Sequence, residues 1–163
     1  MRFITFLVIL FLSLLGFSQN SNSEILLKSG TFLPSNQINT ISFTSNNPEI
    51  FNQKYYRFMQ FSVLPSSKQK QKIEQLGVKF LEYIPNNTFL VSISEDINEK
   101  DLDTYNVNAL ISVQAQQKID SKLQNGNCPE WAKQGNNATL EVLLYKDVDL
   151  TTAFEMLKSD NFT

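Results

Sequence analysis

The sequence predicts an α+β fold built on an antiparallel sheet. Between residues 55 and 114, runs of β-prone and aromatic residues alternate with polar helical segments in the order β-α-β-β-α-β. The chain has 163 residues, of which 42% are hydrophobic and 18% charged, and its formal net charge is −2. This composition is typical of a globular protein, and the near-neutral charge offers no patch for nucleic acid or an anionic membrane.

An apolar segment after a short positive start marks the N-terminus. Arg2 precedes the apolar run Phe3–Leu15, and small or polar residues follow it. This layout is typical of a secretory signal peptide, with cleavage expected between Ser18 and Gln19. The run is shorter than the ~20 residues that a membrane-spanning helix needs. We therefore predict that residues 1–18 are a signal peptide, that the chain is secreted or periplasmic, and that the mature form leaves the membrane.

Residues 19–54 are predicted to form an irregular N-terminal arm with one or two short strands. Short apolar pieces, such as Ile25–Leu27 and Ile41–Phe43, alternate there with turn-forming residues that include Gly30 and Pro34.

A strand and a helix are predicted next, over residues 55–77. Strand alternation places two sets of side chains on opposite faces: Tyr55, Met59, Phe61 and Val63 on one, and Tyr56 and Phe58 on the other. Pro65 ends the strand, and Ser66 or Ser67 is suited to cap a helix that runs through Gln75. Gly77 suits the left-handed position that ends such a helix.

The following segment completes the unit. Two strands, Val78–Ile84 and Thr88–Ile93, are joined by a turn containing Asn86 and Asn87, which tolerate positive φ. Asn98 is suited to cap a short helix, and alternating apolar residues mark a last strand, namely Ala109, Ile111 and Val113. The order predicts a ferredoxin-like domain over residues 55–120, a four-stranded antiparallel sheet with two helices on one face.

The pattern starts again after a polar linker at residues 121–137. Leu140, Val142 and Leu144 alternate as in a strand, and Asp149 is suited to cap an amphipathic helix. Residues 138–163 are therefore expected to be a truncated second β-α unit, either incomplete or completed by strands of a partner. Trp131 is predicted to anchor the linker on a sheet.

The residue types argue against catalysis. The chain contains no histidine, so neither a Ser-His-Asp nor a Cys-His arrangement is possible, and its one cysteine, Cys128, cannot form an internal disulfide. The spacing of Asp101, Asp103, Asp147 and Asp149 fits no calcium loop, and helix-start electrostatics accounts for Asp101 and Asp149. We expect no enzyme activity, no metal and no cofactor.

Several short sequence segments, taken together and in their order along the chain, resemble one family. They are Leu27–Phe32, Tyr55–Phe61, Leu76–Val91, Pro129–Ala132 and Tyr145–Val148. Together they are similar to the N-terminal pro-region of secreted subtilisin-like serine peptidases of the Bacteroidetes type, whose propeptides form a ferredoxin-like unit. Nothing in the sequence corresponds to the catalytic domain of that family. The chain is therefore expected to be a pro-region truncated before its peptidase.

The resemblance implies that the chain is a folding template and an inhibitor of a subtilisin-like protease domain. That domain would either follow in the same, longer chain or be a separate protein. Such a role needs an apolar sheet face free of helices, and we expect Tyr56, Phe58, Leu90 and Leu110 to form this docking face. Two alternatives remain open: a stand-alone secreted binding module completed by strand addition from a partner, and a gene fragment without function.

Overall fold

The computed structural model of the protein describes residues 23–43 and 47–159. The predicted signal peptide and its cleavage point between Ser18 and Gln19 lie outside the described residues. The strands are β1 Ile25–Leu27, β2 Gly30–Phe32, β3 Tyr55–Phe61, β4 Val78–Ile84, β5 Thr88–Ile93, β6 Val107–Ser112, β7 Lys133–Gln134 and β8 Asn137–Ala138. The helices are α1 Ser67–Glu74, α2 Glu99–Asp103, α3 Ala115–Lys118, α4 Ser121–Gln124 and α5 Leu150–Ser159.

The main sheet has four strands in the order β4-β5-β3-β6, and every neighbouring pair is antiparallel. Strand β3 lies between β5 and β6, so the two strands that flank it in space come later in the sequence. The β4–β5 hairpin turns at Asn86 and Asn87, whose φ angles are 66° and 56°, as their tolerance of the left-handed region predicts. The predicted α+β class, with an antiparallel sheet, is confirmed.

Helices α1 and α2 cover the first face of the sheet. Ser66 caps α1 with a reciprocal capping box to Gln69, and Asn98 caps α2 by accepting from the Lys100 backbone N–H at 3.0 Å. Each helix contributes one fully buried side chain, Ile73 from α1 and Leu102 from α2. Both belong to the core of the first face, which also contains Tyr55, Met59, Phe61, Val78, Phe89, Val91, Ile93, Ile97, Val107 and Leu110.

The second face of the sheet is also buried. Phe58 and Leu90 belong to a separate apolar cluster there, with Ile25, Leu81 and Ile84. The side chains that cover this cluster come from the β1–β2 hairpin, called the N-terminal hairpin below, and from Tyr145. The predicted arm therefore contains two short strands, and they close a face that the sequence left open.

A buried arginine ties the rest of the arm to the sheet. Arg57 is 2% exposed, pairs with the Glu49 carboxylate at 2.7 Å and donates to the Asn39 carbonyl at 2.9 Å. Its guanidinium also lies 4.8 Å from the centre of the Tyr55 ring. A buried charge is tolerated only when it is paired and hydrogen-bonded, and these contacts meet that condition.

The edges of two predicted strands require correction. Strand β3 ends at Phe61, so Val63 lies beyond it and is exposed, whereas the prediction placed Val63 within the strand on the same face as Tyr55. The pairing of β3 with β6 shifts register between Gln60 and Phe61. Beyond this irregularity Ala109 and Leu110 point to opposite faces, and both are buried because both faces of the sheet are covered. Strand β6 ends at Ser112, so Val113 falls outside it.

The C-terminal prediction is correct only in part. Helix α5 forms, and Asp149 accepts from the Thr152 backbone N–H at 2.8 Å, as a cap should. The strand predicted around Leu140–Leu144 does not form, and these residues are exposed. The alternating pattern was present, but no neighbouring strand pairs with it in the described part of the chain, and an unpaired strand is not stable.

Gly77 provides a test of the turn between α1 and β4. Its φ is +83°, and an added Cβ would lie 2.8 Å from Glu95 Cβ. We expect Gly77→Ala to lower the free energy of unfolding by about 1–3 kcal/mol, through backbone strain and this clash. Gly126→Ala is the matched control, because Gly126 also has positive φ but an added Cβ would meet nothing within 4 Å. Urea denaturation measures both, and equal losses would contradict the packing described around Gly77.

Candidate partner-binding surface

The four residues predicted to form a docking face do not share one face. Tyr56, Phe58 and Leu90 lie on the second face, where Phe58 is opposite Leu90 in the β3–β5 pairing. Leu110 lies on the first face, in the helix-covered core, because it pairs with Met59 across the β3–β6 register. Its neighbour Ile111 occupies the second face instead. The prediction for Leu110 is therefore wrong, and the cause is the register shift in β6.

The docking face is covered by the N-terminal hairpin. Ile25 is fully buried against it, and the Phe32 ring lies 5.8 Å from the Phe58 ring, centre to centre. Two amides hold the residues before β1: Gln60 donates to the Ser23 carbonyl at 2.9 Å, and Asn86 donates to the Glu24 carbonyl at 2.7 Å. Phe58 and Leu90 are consequently 4% and 8% exposed, so neither is open to a partner in this conformation.

The rest of the second face holds a polar cluster centred on Asp147. The Asp147 carboxylate accepts hydrogen bonds from Ser92 Oγ at 2.7 Å and from Tyr56 Oη at 3.2 Å, and it pairs with Lys54 Nζ at 3.0 Å. The Tyr145 ring stacks on the Tyr56 ring with centres 4.2 Å apart. These five residues are called the Asp147 site.

Three residues of the Asp147 site, Lys54, Tyr56 and Ser92, come from two neighbouring strands and the residue before one of them. They are called the receptor half of the site. Tyr56 on β3 and Ser92 on β5 are directly opposite in the sheet register, and Lys54 lies two residues before Tyr56. Tyr56 and Ser92 therefore point to the second face, and Lys54, just before β3, reaches the same face through its ion pair with Asp147. Tyr145 and Asp147 are likewise two residues apart, at a turn closed by the bond from the Val148 N–H to the Tyr145 carbonyl.

The environment of Asp147 favours its charged form. Its side chain is 1% exposed, and this burial acts to raise its pKa. The hydrogen bonds from Ser92, Lys54 and Tyr56, with the charge of Lys54, outweigh the burial and lower the pKa of Asp147 below its ordinary value. Burial and the neighbouring carboxylate raise the pKa of Tyr56, so its hydroxyl stays a donor.

The arrangement is suited to anchoring a segment. Its one carboxylate accepts from a serine, a tyrosine and a lysine, which are the contacts that fix an acidic side chain in place. In the described ranges, no group of three or more His, Cys, Asp or Glu side chains is placed to hold a metal ion. Within those ranges too, no helix is both long and apolar enough to cross a membrane.

Exposed apolar side chains flank the anchored turn along the chain. The segment that carries them is called the C-terminal apolar surface below, and its large exposed apolar side chains are Leu140, Val142, Leu143, Leu144, Leu150, Phe154 and Met156. Leu143, Leu150 and Phe154 are 81%, 73% and 61% exposed. Single exposed apolar residues are ordinary, but seven within one short stretch of chain favour an interaction surface.

Two linker residues singled out in the sequence are not part of this surface. Trp131 is 85% exposed in a single 3₁₀ turn, so the prediction that it anchors the linker on a sheet is wrong. Its neighbours Glu130 and Lys133 are exposed as well. Cys128 is half-buried beside Pro129, with a free thiol.

Sequence reasoning missed the Asp147 site. It assigned no role to Asp147, and it placed Tyr145 only within a segment of the family resemblance. The sequence pattern that could have indicated the site was an acidic residue two positions after an aromatic one, at a place that is not the start of a helix. That signal is too common to predict a contact with Lys54 and Ser92, which are 93 and 55 residues away in the chain.

Replacing the anchoring carboxylate tests the site. In Asp147→Asn, loss of the ion pair with Lys54 should release the turn, and the Val148 amide, which donates to the Tyr145 carbonyl, should exchange hydrogen roughly tenfold faster. Asp103→Asn, at an exposed carboxylate, is the control and should leave this exchange rate unchanged. Native-state hydrogen exchange makes the measurement, and unchanged exchange in Asp147→Asn would contradict the anchoring role.

The lowered pKa of Asp147 also sets a pH dependence. The anchor is at full strength above the unfolded carboxyl pKa of about 3.9 and weakens as pH falls through the lower folded value. Protection of the Val148 amide, corrected for its intrinsic exchange rate, should therefore hold from neutral pH to that range and drop below it. Asp147→Asn should not show this acid-dependent drop, and equal drops in both proteins would count against the site.

Comparison with known proteins gives one match. No curated protein matches the sequence, and no solved structure matches the fold. Residues 26–115 match the family described as Domain of unknown function (DUF8729), a range that begins one residue into the N-terminal hairpin and includes the whole four-stranded sheet but not the Tyr145–Asp147 turn. This match spans more than half of the chain, and the protein therefore belongs to the DUF8729 family.

Proposed function

We propose that this chain is the N-terminal pro-region of a secreted subtilisin-like serine peptidase. In this role it acts as a folding template for the peptidase domain and as its inhibitor. The observation that supports the proposal is the antiparallel sheet of order β4-β5-β3-β6 with α1 and α2 on one face. The family resemblance implies this arrangement for such pro-regions, over the same residues.

The template function needs apolar area that the peptidase domain buries on contact. Burial contributes ~25 cal/mol per Å² of apolar surface, so a docking surface needs several large side chains. The second sheet face does not offer them while the N-terminal hairpin covers Phe58 and Leu90. The C-terminal apolar surface does, and we assign docking to it, with Leu143, Leu150 and Phe154 as the most exposed contacts.

No catalytic step is assigned to the chain itself. The sequence contains no histidine, and proteolysis by a Ser-His-Asp mechanism would be supplied by the partner domain. Ser92 does donate to the Asp147 carboxylate, but that carboxylate also accepts from Tyr56 and Lys54, and its lowered pKa makes it a weak base. Ser92 is a hydrogen-bond donor to the anchor.

A second function is favoured by a different observation. Both faces of the sheet are covered by segments of this chain, so the domain has its core without a partner. That independence fits a stand-alone secreted binding module, which would use the same C-terminal apolar surface on another protein.

The genomic sequence beyond the codon for Thr163 separates the two functions. The pro-region proposal expects a peptidase domain with Asp, His and Ser motifs, either in the same reading frame or in an adjacent gene. A stop codon with no such peptidase gene nearby would overturn it and leave the stand-alone module.

Refolding of that peptidase domain tests the docking surface. Added to the denatured domain, residues 19–163 should raise the yield of active peptidase at least tenfold and then inhibit it. A Leu143→Asp/Phe154→Asp variant should lose most of both effects, because a charge in place of an apolar contact opposes burial. Leu33→Asp is the matched control, since Leu33 is 70% exposed on another part of the chain. Equal effects of the variant and the control would contradict the assigned surface.

A further inference from the structure

The receptor half of the Asp147 site is formed entirely by the sheet domain. Tyr56 lies on β3, Ser92 lies on β5, and Lys54 is the residue just before β3. The match to the DUF8729 family spans all three residues. What fills it is the Tyr145–Asp147 turn, which lies beyond the matched range. The site thus joins two separate parts of the chain, a receptor and a short ligand. The ligand is an aromatic residue followed two residues later by a carboxylate.

The complementarity of the two halves is specific. Lys54 supplies the positive charge opposite Asp147, and Ser92 supplies the shortest hydrogen bond, at 2.7 Å. The Tyr56 side chain acts twice, because its ring stacks on Tyr145 and its hydroxyl donates to Asp147. Removing the ligand would leave Lys54 without its ion pair and the Tyr56 ring uncovered, so an empty receptor favours another ligand of the same chemistry.

The connection between the two halves is only loosely held. Helices α3 and α4 contribute no buried residue, and over residues 114–138 only Ala132 is buried. Few contacts would be lost if this connection took another path, and one of them is the hydrogen bond from Ser29 Oγ to the Gln117 carbonyl at 3.0 Å. Domain swapping exchanges an identical element between two copies, and it requires a connection that can take another path, as this one can.

We propose that the Lys54–Tyr56–Ser92 receptor also binds the Tyr145–Asp147 turn of a second copy of this chain, so that two copies exchange their C-terminal segments. Exchange keeps every contact of the Asp147 site and only changes which chain supplies the ligand. It also brings two C-terminal apolar surfaces into one assembly. A single chain leaves those side chains exposed, so any of them that the second copy covers would add buried apolar area to the dimer. This inference does not depend on the proposed function.

A complementation experiment tests exchange directly. One protein carries a disabled receptor, Lys54→Met/Ser92→Ala, and the other a disabled ligand, Tyr145→Ala/Asp147→Asn. Neither protein can form the complete site within its own chain or with another copy of itself. The intact ligand of the first protein can, however, bind the intact receptor of the second. In the second protein the receptor is vacant, so the incoming turn meets no competition from a tethered one.

Light scattering after size-exclusion chromatography provides the readout, at about 100 µM of each chain, where micromolar affinities give nearly complete binding. We expect monomers for each variant alone and a heterodimer for the mixture. Adding Asp147→Asn to the first protein removes its ligand and should abolish the heterodimer. Folding of each variant is checked by its far-ultraviolet circular dichroism and urea midpoint.

Two results would overturn the proposal. A mixture of two folded variants that stays monomeric would show that the receptor accepts the turn only from its own chain. A heterodimer that persists after the extra Asp147→Asn change would show association through the apolar surfaces alone, without exchange. Neither result bears on the pro-region proposal, which the downstream genomic sequence and the refolding experiment test separately.

Discussion

Burial of both faces of strand β3 is the constraint on which the rest of the structure depends. Tyr55 and Met59 point to one side of the sheet and Phe58 to the other, and all three are almost completely inaccessible to water. A sheet with apolar side chains on both faces is stable in water only if both are covered. Helices α1 and α2 cover one face, which leaves the other to segments outside the β-α-β-β-α-β unit.

The cover of that second face has two parts with different chemistry. The N-terminal hairpin supplies apolar side chains, chiefly Ile25 and Phe32, and covers Phe58 and Leu90. The Tyr145–Asp147 turn covers Tyr56 with one stacked ring and one buried carboxylate. The apolar part contributes most of the burial, whereas the polar part defines where one particular segment of chain attaches. The apolar residues beside the turn remain exposed, and the functional proposals rest on them.

The sequence was sufficient for the elements that depend on local signals. Alternation in Tyr55–Phe61, the cap at Ser66 and the Asn86–Asn87 turn each have a short-range physical cause, and each lies where it was predicted. The errors have long-range causes. The face occupied by Leu110 depends on a register shift against β3, and the strand expected at Leu140–Leu144 needed a neighbouring strand to pair with.

The candidate site was less predictable than the fold for the same reason. The sequence placed Tyr56, Phe58 and Leu90 on one sheet face, and they do lie together there. It gave no indication that Ile25 and Tyr145 would cover that face, because each lies far from its contacts along the chain. Recognising Asp147 as an anchor required knowing that Tyr56 and Ser92 are opposite each other on neighbouring strands.

Nuclear magnetic resonance on residues 19–163 at neutral pH measures proton–proton contacts in solution. The structure has this chain cover the second face of its own sheet. It predicts contacts between the Phe32 and Phe58 rings and between the Tyr56 and Tyr145 rings, at a protein concentration low enough to keep the chain monomeric. Absence of both ring contacts in a folded monomer would contradict this arrangement, because the second face would then be open to solvent.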